Sequence, residues 1–284
     1  MEATSKLDIH FLSVANVDRC LSLIELLAGH PAGIGLSSLA ERLDLSLSGV
    51  HRLLGALIAR GYVRQDPTSH LYEFTLRFAA MGFRFLDACH LPDAAQGVLD
   101  ALARDTGDYC RLALVQDGNL TWVARAQGAT QALRYDPPMG RPVALHATAS
   151  GKAWLASLVE EDALRIVYAQ GFPVPRNMQN HVFGRHLIRT VDALRQQLAI
   201  ARSRGHAVAA EEGEPGIVAM AVVFRDTGRP GGAVIGTVSV AGPVQRLDPA
   251  RYAGIAVRLH RAGASLAEIW PLRRRQTAGQ ATPG

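Results

Sequence analysis

Residues 35–61 decide the fold of the first part of the chain, and they read GLSSLAERLDLSLSGVHRLLGALIARG. In the first half, apolar residues recur at helical spacing behind Ser37, which predicts a short amphipathic helix capped by that serine. After a short polar break, the same spacing returns from Leu47 to Ile58, with Ser46 or Ser48 as the cap and a glycine at the end. Two short amphipathic helices joined by a tight turn predict a helix-turn-helix.

The second of these helices carries polar side chains where a recognition helix meets base edges and phosphates. Taken alone, the two helices fit an ordinary antiparallel pair with a solvated face better. However, residues 61–64 and 70–74 have strand character and flank a turn at residues 66–69, which predicts a β-hairpin. A helix-turn-helix followed at once by a hairpin is typical of a winged helix, and it favours DNA binding. The residues expected to contact DNA are Ser46, Ser48, Gly49, His51, Arg52 and Arg64.

The composition favours two domains and a cytoplasmic protein. The chain has 284 residues, of which 48% are hydrophobic, so two separate cores can form. No apolar run approaches the roughly 20 residues that cross a bilayer, and the first residues lack the pattern of a signal peptide. Cys20, Cys89 and Cys110 lie far apart without CxxC spacing, so we expect buried thiols rather than disulfides or a zinc finger.

The net charge of +5 is compatible with a nucleic-acid partner, although its distribution matters more than the total. Residues 1–90 contain eight basic and nine acidic residues, so the predicted DNA-binding domain is not basic as a whole. Only the stretch from Arg52 to Arg64 holds three arginines and no acid. We interpret the three consecutive arginines at 273–275 as part of a solvated C-terminal tail.

The spacing of apolar residues divides the chain into a first domain at residues 1–74, a linker helix at 75–91, a second domain at 92–270 and a mobile tail at 271–284. The first domain also contains a helix predicted at residues 16–28. The linker helix has an apolar face, which fits a dimer interface and packing on its own domain equally well. Two-fold operators favour a dimer. This face consists of Leu76, Phe83 and Leu86.

The second domain is predicted to be α+β, with helices flanking a largely antiparallel sheet. A hairpin is expected at Asp117-Gly118-Asn119, and a loop is expected at the proline-rich residues 136–142. Helices are predicted at 95–104, 151–158, 161–168, 191–204 and 249–270, and strands at 109–116, 120–126, 207–210, 217–224 and 233–240.

One predicted helix begins with a possible anion site. Residues 148–151 precede its apolar pattern, so the backbone N–H groups of Gly151, Lys152 and Ala153 are predicted to be free for a carboxylate. A cap supplied by Thr148 or Ser150 explains the same residues without any ligand. The pattern leaves these two alternatives equal.

Three segments together resemble the hallmark segments of the IclR family of bacterial transcriptional regulators. They are GRPVALHATASGKAWLA at 140–156, GIVAMAVVFRD at 216–226 and IGTVSVAGP at 235–243. The resemblance covers residues 12–270 and implies a winged helix, a linker helix and a GAF-like effector-binding domain, assembled as dimers or dimers of dimers on double-stranded operator DNA. In the recognition helix, Ser48, Val50 and Arg52 match the family pattern, whereas Gly49 stands where threonine is usual.

The resemblance also implies an effector pocket, because family members bind small organic acids or aromatic compounds in the second domain. Relatives that bind small acids carry Asp, Cys and Ser at the positions of Ala209, Ala219 and Ala241. The pocket is therefore expected to be larger and more apolar, and to take an effector, such as an aromatic acid, that is bulkier than the shortest organic acids. Matched residue by residue, the pocket consists of Ala132, Tyr135, Val143, Ala149, Ser150, Ala209, Ile217, Ala219, Ser239 and Ala241.

The sequence predicts no catalytic residues, no cofactor and no metal site. The Gly151-Lys152 pair lacks the other residues of a phosphate loop, and neither GxSxG nor HExxH occurs. His181 and His186 are interpreted as surface residues rather than metal ligands. Two alternatives remain open. An enzyme would turn over a substrate without binding DNA, and a protein-interaction module would lack salt-sensitive binding to duplex DNA.

Overall fold

The computed structural model describes residues 15–88, 91–130, 133–140, 142–227 and 231–279. The chain divides into two compact units, Met1–Ala88 and Cys89–Gly284. Residues 1–14 lie outside the described part of the chain, and so do residues 280–284 of the predicted tail. No helix within the described ranges is long and apolar enough to cross a membrane.

The first unit is a winged helix-turn-helix followed by one further helix. Leucines at helical spacing place their side chains on facing sides of the first three helices, and Leu23, Leu39 and Leu54 are completely buried there. The elements are α1 Ala15–Ala28, α2 Leu36–Leu43, α3 Leu47–Ala59, β1 Val63–Gln65, β2 Tyr72–Phe74 and α4 Arg77–Ala88.

Local hydrogen bonds fix the turn between α2 and α3. Asp44 adopts the left-handed conformation (φ 51°) and ends α2 by donating its N–H to the carbonyl groups of Ala40 and Glu41. Ser46 then caps α3, because its hydroxyl accepts the N–H of Gly49 at 3.2 Å. The predicted cap at Ser37 is wrong: Ser37 lies inside α2, and Gly35 precedes that helix without a side-chain cap.

The wing is a short antiparallel hairpin in which Val63 pairs with Phe74. Asp66 organises its turn, because one carboxylate oxygen accepts the backbone N–H groups of Thr68 (3.0 Å) and Ser69 (2.7 Å). These hydrogen bonds lower the pKa of Asp66 below its usual value, with the Ser69 N–H as the largest cause. The turn of the wing is therefore stabilised by hydrogen bonds between its own residues.

The second unit is built on a five-stranded sheet in the order β4-β3-β7-β6-β5, and every neighbouring pair is antiparallel. The predicted hairpin joins β3 to β4, and positive φ angles at Asp117 (48°) and Gly118 (75°) give it the twist that suits a two-residue turn. The strands are β3 Tyr109–Gln116, β4 Asn119–Gln127, β5 Ala207–Ala210, β6 Ile217–Arg225 and β7 Val234–Pro243.

Helices cover both faces of this sheet, and alternation along each strand sends side chains to two separate cores. One core packs against α5 and α9, and the other packs against α6 and α8. The helices are α5 Leu91–Thr106, α6 Ala149–Ala156, α7 Glu160–Gln170, α8 Val191–Arg204 and α9 Tyr252–Gly279. The helix α9 continues past its predicted end at Trp270, so residues 271–279 are helical rather than an irregular tail.

Candidate DNA-binding surface and ligand cavity

The predicted DNA-contacting side chains lie at the start of α3 and on the wing. The exposed ones are Ser46, Ser48, His51, Arg52 and Arg64, whereas Gly49 is half-buried. Ser46 already caps α3, and a Cβ atom at Gly49 would lie 3.0 Å from the Ser46 hydroxyl oxygen. Gly49 thus leaves room for the cap and offers no side chain to DNA.

The two arginines of this surface differ in their electrostatic environment. Arg64 forms an ion pair with Glu73 on the partner strand of the wing, with an N–O distance of 2.7 Å. Within residues 15–88, Arg52 forms no ion pair with any carboxylate. Arg52 therefore offers an uncompensated positive charge at the start of the recognition helix.

The helix α4 leaves large apolar side chains in contact with solvent. Leu76, just before the helix, is 85% exposed, and Phe83 is 71% exposed. Phe78 instead packs inward against Tyr62 and Phe74. The side chain of Leu86, the third member of the predicted apolar face, lies outside the described residues.

A cavity opens on the α6 side of the sheet in the second unit. Its volume is about 80 Å³, and its mouth is open to solvent. Ala132 lies outside the described residues. The other nine predicted pocket residues all line this cavity: Tyr135, Val143, Ala149, Ser150, Ala209, Ile217, Ala219, Ser239 and Ala241.

A row of alanines forms part of the cavity wall. Ala219 on β6 pairs with Ala209 on β5 and with Ala241 on β7, so three short side chains lie side by side across the sheet. Larger side chains at these positions would extend from the sheet into the cavity. The sheet is therefore close to any molecule in the cavity because these residues are small.

Arg111 on β3 also lines the cavity, although it was not among the predicted pocket residues. Its guanidinium carbon lies 3.8 Å from the centre of the Trp122 ring and 6.0 Å from that of Tyr135. Such stacking stabilises a guanidinium by cation–π attraction. A charged residue in the middle of the apolar strand YCRLALVQ was the available sequence signal, since unpaired charges are rarely placed inside a fold.

Two hydrogen bonds join segments at the cavity wall. The Tyr135 hydroxyl donates to the Glu214 carboxylate at 2.9 Å, and burial raises the pKa of Tyr135, so it remains protonated. The Nε2 atom of His181 lies 2.7 Å from the carbonyl oxygen of Gly213. His181 is half-buried and lines the cavity, so its interpretation as a surface residue is wrong, whereas His186 is exposed.

The predicted anion site at the N–H groups of α6 is wrong. The Thr148 hydroxyl caps the helix by accepting the N–H of Gly151 at 3.1 Å, and the Thr148 carbonyl accepts that of Lys152 at 2.9 Å. Ala153, the fifth residue of the helix, is already past the first turn. Moreover, Gly151 packs on the backbone of Leu145 rather than on the cavity. The alternative of a simple cap is therefore correct for Thr148.

Ser150 behaves differently from its neighbours in α6. It is only 1% exposed and lines the cavity, and its hydroxyl has no hydrogen-bond partner among the described residues. Buried hydroxyl groups in proteins nearly always have a partner. The side chain of Ser150 is therefore available to a molecule in the cavity.

A buried ion pair lies next to this wall. The Lys152 ammonium contacts both carboxylate oxygens of Glu212 at 2.7 and 2.8 Å, and the two residues are 1% and 7% exposed. Burial lowers the pKa of Lys152 and raises that of Glu212. The pair joins α6 to the segment that continues into the cavity residues Gly213 and Glu214. It was not predicted from the sequence.

Among the described residues, neither the cysteines nor the potential metal-binding side chains form a second candidate site. Cys110 is buried as predicted, and burial raises the pKa of its thiol to about 12. Cys20 is half-buried, and Cys89 lies outside the described residues. Across the described ranges, no group of three or more His, Cys, Asp or Glu residues could hold a metal ion.

A winged helix-turn-helix and a separate α+β unit with a cavity beside its sheet define the class of DNA-binding regulators that carry a second, cavity-bearing domain. The family model described as the bacterial transcriptional regulator IclR C-terminal domain matches residues 83–267, and the IclR helix-turn-helix domain matches residues 16–67. The chain belongs to the IclR family of transcriptional regulators. It is a DNA-binding regulator and not an enzyme.

Relatives and solved structures of similar length support this assignment. The HTH-type transcriptional regulator XynR of Escherichia coli (strain K12) is 27% identical over 254 residues, covering 89% of this chain and 96% of that protein. The glycerol operon regulatory protein of Streptomyces griseus is 30% identical over 247 residues, covering 84% and 88%.

Two crystal structures show the same fold. The IclR transcriptional regulator from Alicyclobacillus acidocaldarius has a TM-score of 0.73 at 22% identity, covering 90% of this chain and 98% of that chain. An IclR homologue from Microbacterium hydrocarbonoxydans, complexed with 4-hydroxybenzoate, has a TM-score of 0.70 at 19% identity, covering 89% and 98%.

Proposed function

We propose that this chain is a cytoplasmic regulator whose binding to operator DNA is modulated by a small organic acid in the cavity of its second unit. The observation that carries the proposal is the convergence of nine pocket residues, predicted from five separate stretches of sequence, on one cavity. Residues with no common purpose would not be expected to meet in this way. The same cavity contains an arginine and a serine hydroxyl that has no hydrogen-bond partner among the described residues, and both groups suit an acid.

The start of α3 and the wing read the operator in this proposal. Ser48, His51 and Arg52 are exposed at the end of the helix that enters the major groove in helix-turn-helix proteins. Arg64 contributes from the wing, where its ion pair with Glu73 reduces its effective charge. Arg52 is thus expected to contribute more to DNA affinity than Arg64.

The cavity favours an effector larger than the shortest organic acids. Ala209, Ala219 and Ala241 leave space along the sheet, and much of the remaining wall is aromatic or aliphatic. The complex of the Microbacterium relative with 4-hydroxybenzoate supports an aromatic acid as a suitable occupant. We therefore propose an aromatic or similarly bulky carboxylate as the effector.

The regulator acts as a dimer or a dimer of dimers. Leu76 and Phe83 are too exposed to be stabilising in an isolated chain, and large exposed apolar patches commonly mark interfaces. Val17 and Leu21 on α1 are also about half exposed, at 52% and 51%. A two-fold dimer would present two recognition helices to two half-sites of an operator.

Fluorescence anisotropy with DNA from the region upstream of this gene tests the proposed recognition surface. Replacing Arg52 with alanine should weaken operator binding by about 1–3 kcal/mol if the side chain reads a base. If Arg52 contacts a phosphate instead, the dependence of affinity on salt should become less steep. Arg165→Ala is the matched control, because Arg165 carries the same charge on α7 of the second unit.

The expected outcome is a loss of affinity in Arg52→Ala that Arg165→Ala does not share, with the helix content of both variants unchanged by circular dichroism. Equal affinity of Arg52→Ala and the unchanged protein at every salt concentration would remove Arg52 from the interface.

A further inference from the structure

We propose that Arg111 is the carboxylate-binding residue of the cavity and that it selects aromatic monocarboxylates as ligands. This inference rests on the proposed function, since it assumes that the cavity is the effector site. The backbone N–H groups at the start of α6 already donate to Thr148. The anion is therefore bound by a side chain on the opposite wall of the cavity.

The position of Arg111 is fixed by the sheet. Arg111 lies on β3 between Arg125 of β4 and Ser239 of β7, both of which pair with it directly. Its guanidinium carbon lies 3.8 Å from the centre of the buried Trp122 ring, within the contact distance of stacked groups. A guanidinium held by its face leaves the N–H groups at its edge free to form two parallel hydrogen bonds with a carboxylate.

Arg111 has no direct carboxylate partner among the described side chains. Among the side chains that the structure describes, no carboxylate forms an ion pair with Arg111, and its buried Nε atom has no hydrogen-bond partner. By contrast, Arg246 and Arg251 in the same unit both pair with the buried Asp108. A buried donor without an acceptor is destabilising, and a bound carboxylate would supply the missing acceptor.

Two further groups define the form of the acid. Ser150 brings a hydroxyl without a hydrogen-bond partner among the described residues to the same cavity, so it can bind a further polar atom of the ligand. Glu214 also lines the cavity, and its carboxylate accepts the Tyr135 hydroxyl. Because like charges repel in such a partly buried site, Glu214 disfavours a second carboxylate on the ligand. A monoanion fits this arrangement better than a dicarboxylate.

The uncharged part of the wall favours a flat apolar body. The row formed by Ala209, Ala219 and Ala241 provides a smooth surface along the sheet. Other apolar residues of the cavity are Trp122, Pro137, Val143, Met178, Phe183 and Ile217. A single aromatic ring would cover such a surface, with its carboxylate directed to Arg111.

Isothermal titration calorimetry on the full chain tests the inference with four probes, which are benzoate, 4-hydroxybenzoate and the neutral amides of both. The unchanged protein should bind at least one acid about 10- to 100-fold more tightly than the corresponding amide, as expected for hydrogen bonds to a charged group. Arg111→Met keeps much of the apolar stem on Trp122 and should lose this preference. Arg111→Lys keeps the charge but not the fork, and it should lose about tenfold in affinity for the acid with little change for the amide.

Arg125→Met is the matched control, because Arg125 lies beside Arg111 on the neighbouring strand but outside the cavity lining. It should retain the preference for the acid. If Arg111→Met fails to fold, Arg111→Lys decides the question by the ratio of acid to amide affinity. If both variants fold and both keep the full ratio of acid to amide affinity, the inference is overturned. If Arg111→Met is unfolded, the full ratio in Arg111→Lys alone overturns it. The absence of binding of both acids to the unchanged protein also overturns it.

A separate measurement of operator binding distinguishes this inference from the proposed function. If the acids bind through Arg111 and operator affinity does not change, the carboxylate site stands and the regulatory proposal fails. If both amides change operator affinity as strongly as the acids do, the protein responds to ligands but Arg111 does not select them.

Discussion

Removing the Lys152 ammonium from its buried ion pair with Glu212 should strongly destabilise the second unit. The change Lys152→Met keeps an unbranched side chain of similar length in the interior of α6, so the packing is largely preserved. The Glu212 carboxylate, 7% exposed, would lose the cation that lies 2.7 and 2.8 Å from its two oxygens. Buried carboxylates without a partner are strongly unfavourable because water no longer solvates them.

The expected loss is about 3–5 kcal/mol in the free energy of unfolding at neutral pH, which is the usual effect of breaking a buried pair from one side. The double change Lys152→Met with Glu212→Leu should recover most of this loss, since it removes both charges. Burial already raises the pKa of Glu212 and lowers that of Lys152. The desolvation of the two groups therefore opposes much of their attraction, and replacement of the whole pair should be nearly neutral.

Urea unfolding followed by tryptophan fluorescence is the suitable assay, because all three tryptophans, Trp122, Trp154 and Trp270, belong to the second unit. A pH series provides a further test. In Lys152→Met, the folded-state pKa of Glu212 is raised above the unfolded value of 4.5, so protonation favours the folded state. The destabilisation relative to the unchanged protein should shrink as the pH falls from 7 towards 4.5. A loss below about 1 kcal/mol at pH 7, or one that grows on acidification, would refute the reasoning.

Two further changes test the assembly and the packing of the second unit. Phe83→Glu places a charge on the exposed apolar face of α4. The variant should dissociate the oligomer in sedimentation velocity and bind the operator more weakly. A wild-type monomer at micromolar concentration would contradict the proposed interface. Gly151→Ala brings a Cβ atom to 2.1 Å from the Leu145 carbonyl oxygen, so it should destabilise the second unit by about 3 kcal/mol or more in urea unfolding. The control Gly97→Ala has open space around the new Cβ atom and should change the free energy of unfolding by at most about 1 kcal/mol.

Most of the fold could be predicted because helical spacing and turn residues are visible within short stretches of sequence. Helical spacing between Leu36 and Ile58 gave both helices of the helix-turn-helix, and Asp117-Gly118 gave the β3–β4 hairpin. The errors lie at the ends of helices. Ser37 resembles a cap, but α2 already begins at Leu36. The extension of α9 to Gly279 was missed because its apolar pattern ends at Trp270.

The site was predictable in part, and the missing residues have a common reason. Residues within the hallmark segments, such as Ser150 and Ala219, could be placed by resemblance alone. Arg111, Glu214 and His181 line the same cavity but come from stretches without a motif, and only the strand order brings them there. The charge on Arg111 could be noticed in the sequence, but its stacking on Trp122 depends on the register between β3 and β4.

The central claim is that a molecule in the cavity controls binding to the operator, and Ala219→Leu tests it most directly. Leucine adds three carbons to the middle of the alanine row, where the cavity provides room, so the variant should fold within about 1 kcal/mol of the unchanged protein. The measurement is operator affinity by fluorescence anisotropy with and without 4-hydroxybenzoate and benzoate. The account predicts that the unchanged protein responds to at least one acid, and that Ala219→Leu binds the operator normally without ligand but no longer responds. A full response in Ala219→Leu, or no response of the unchanged protein to either acid, would contradict the account.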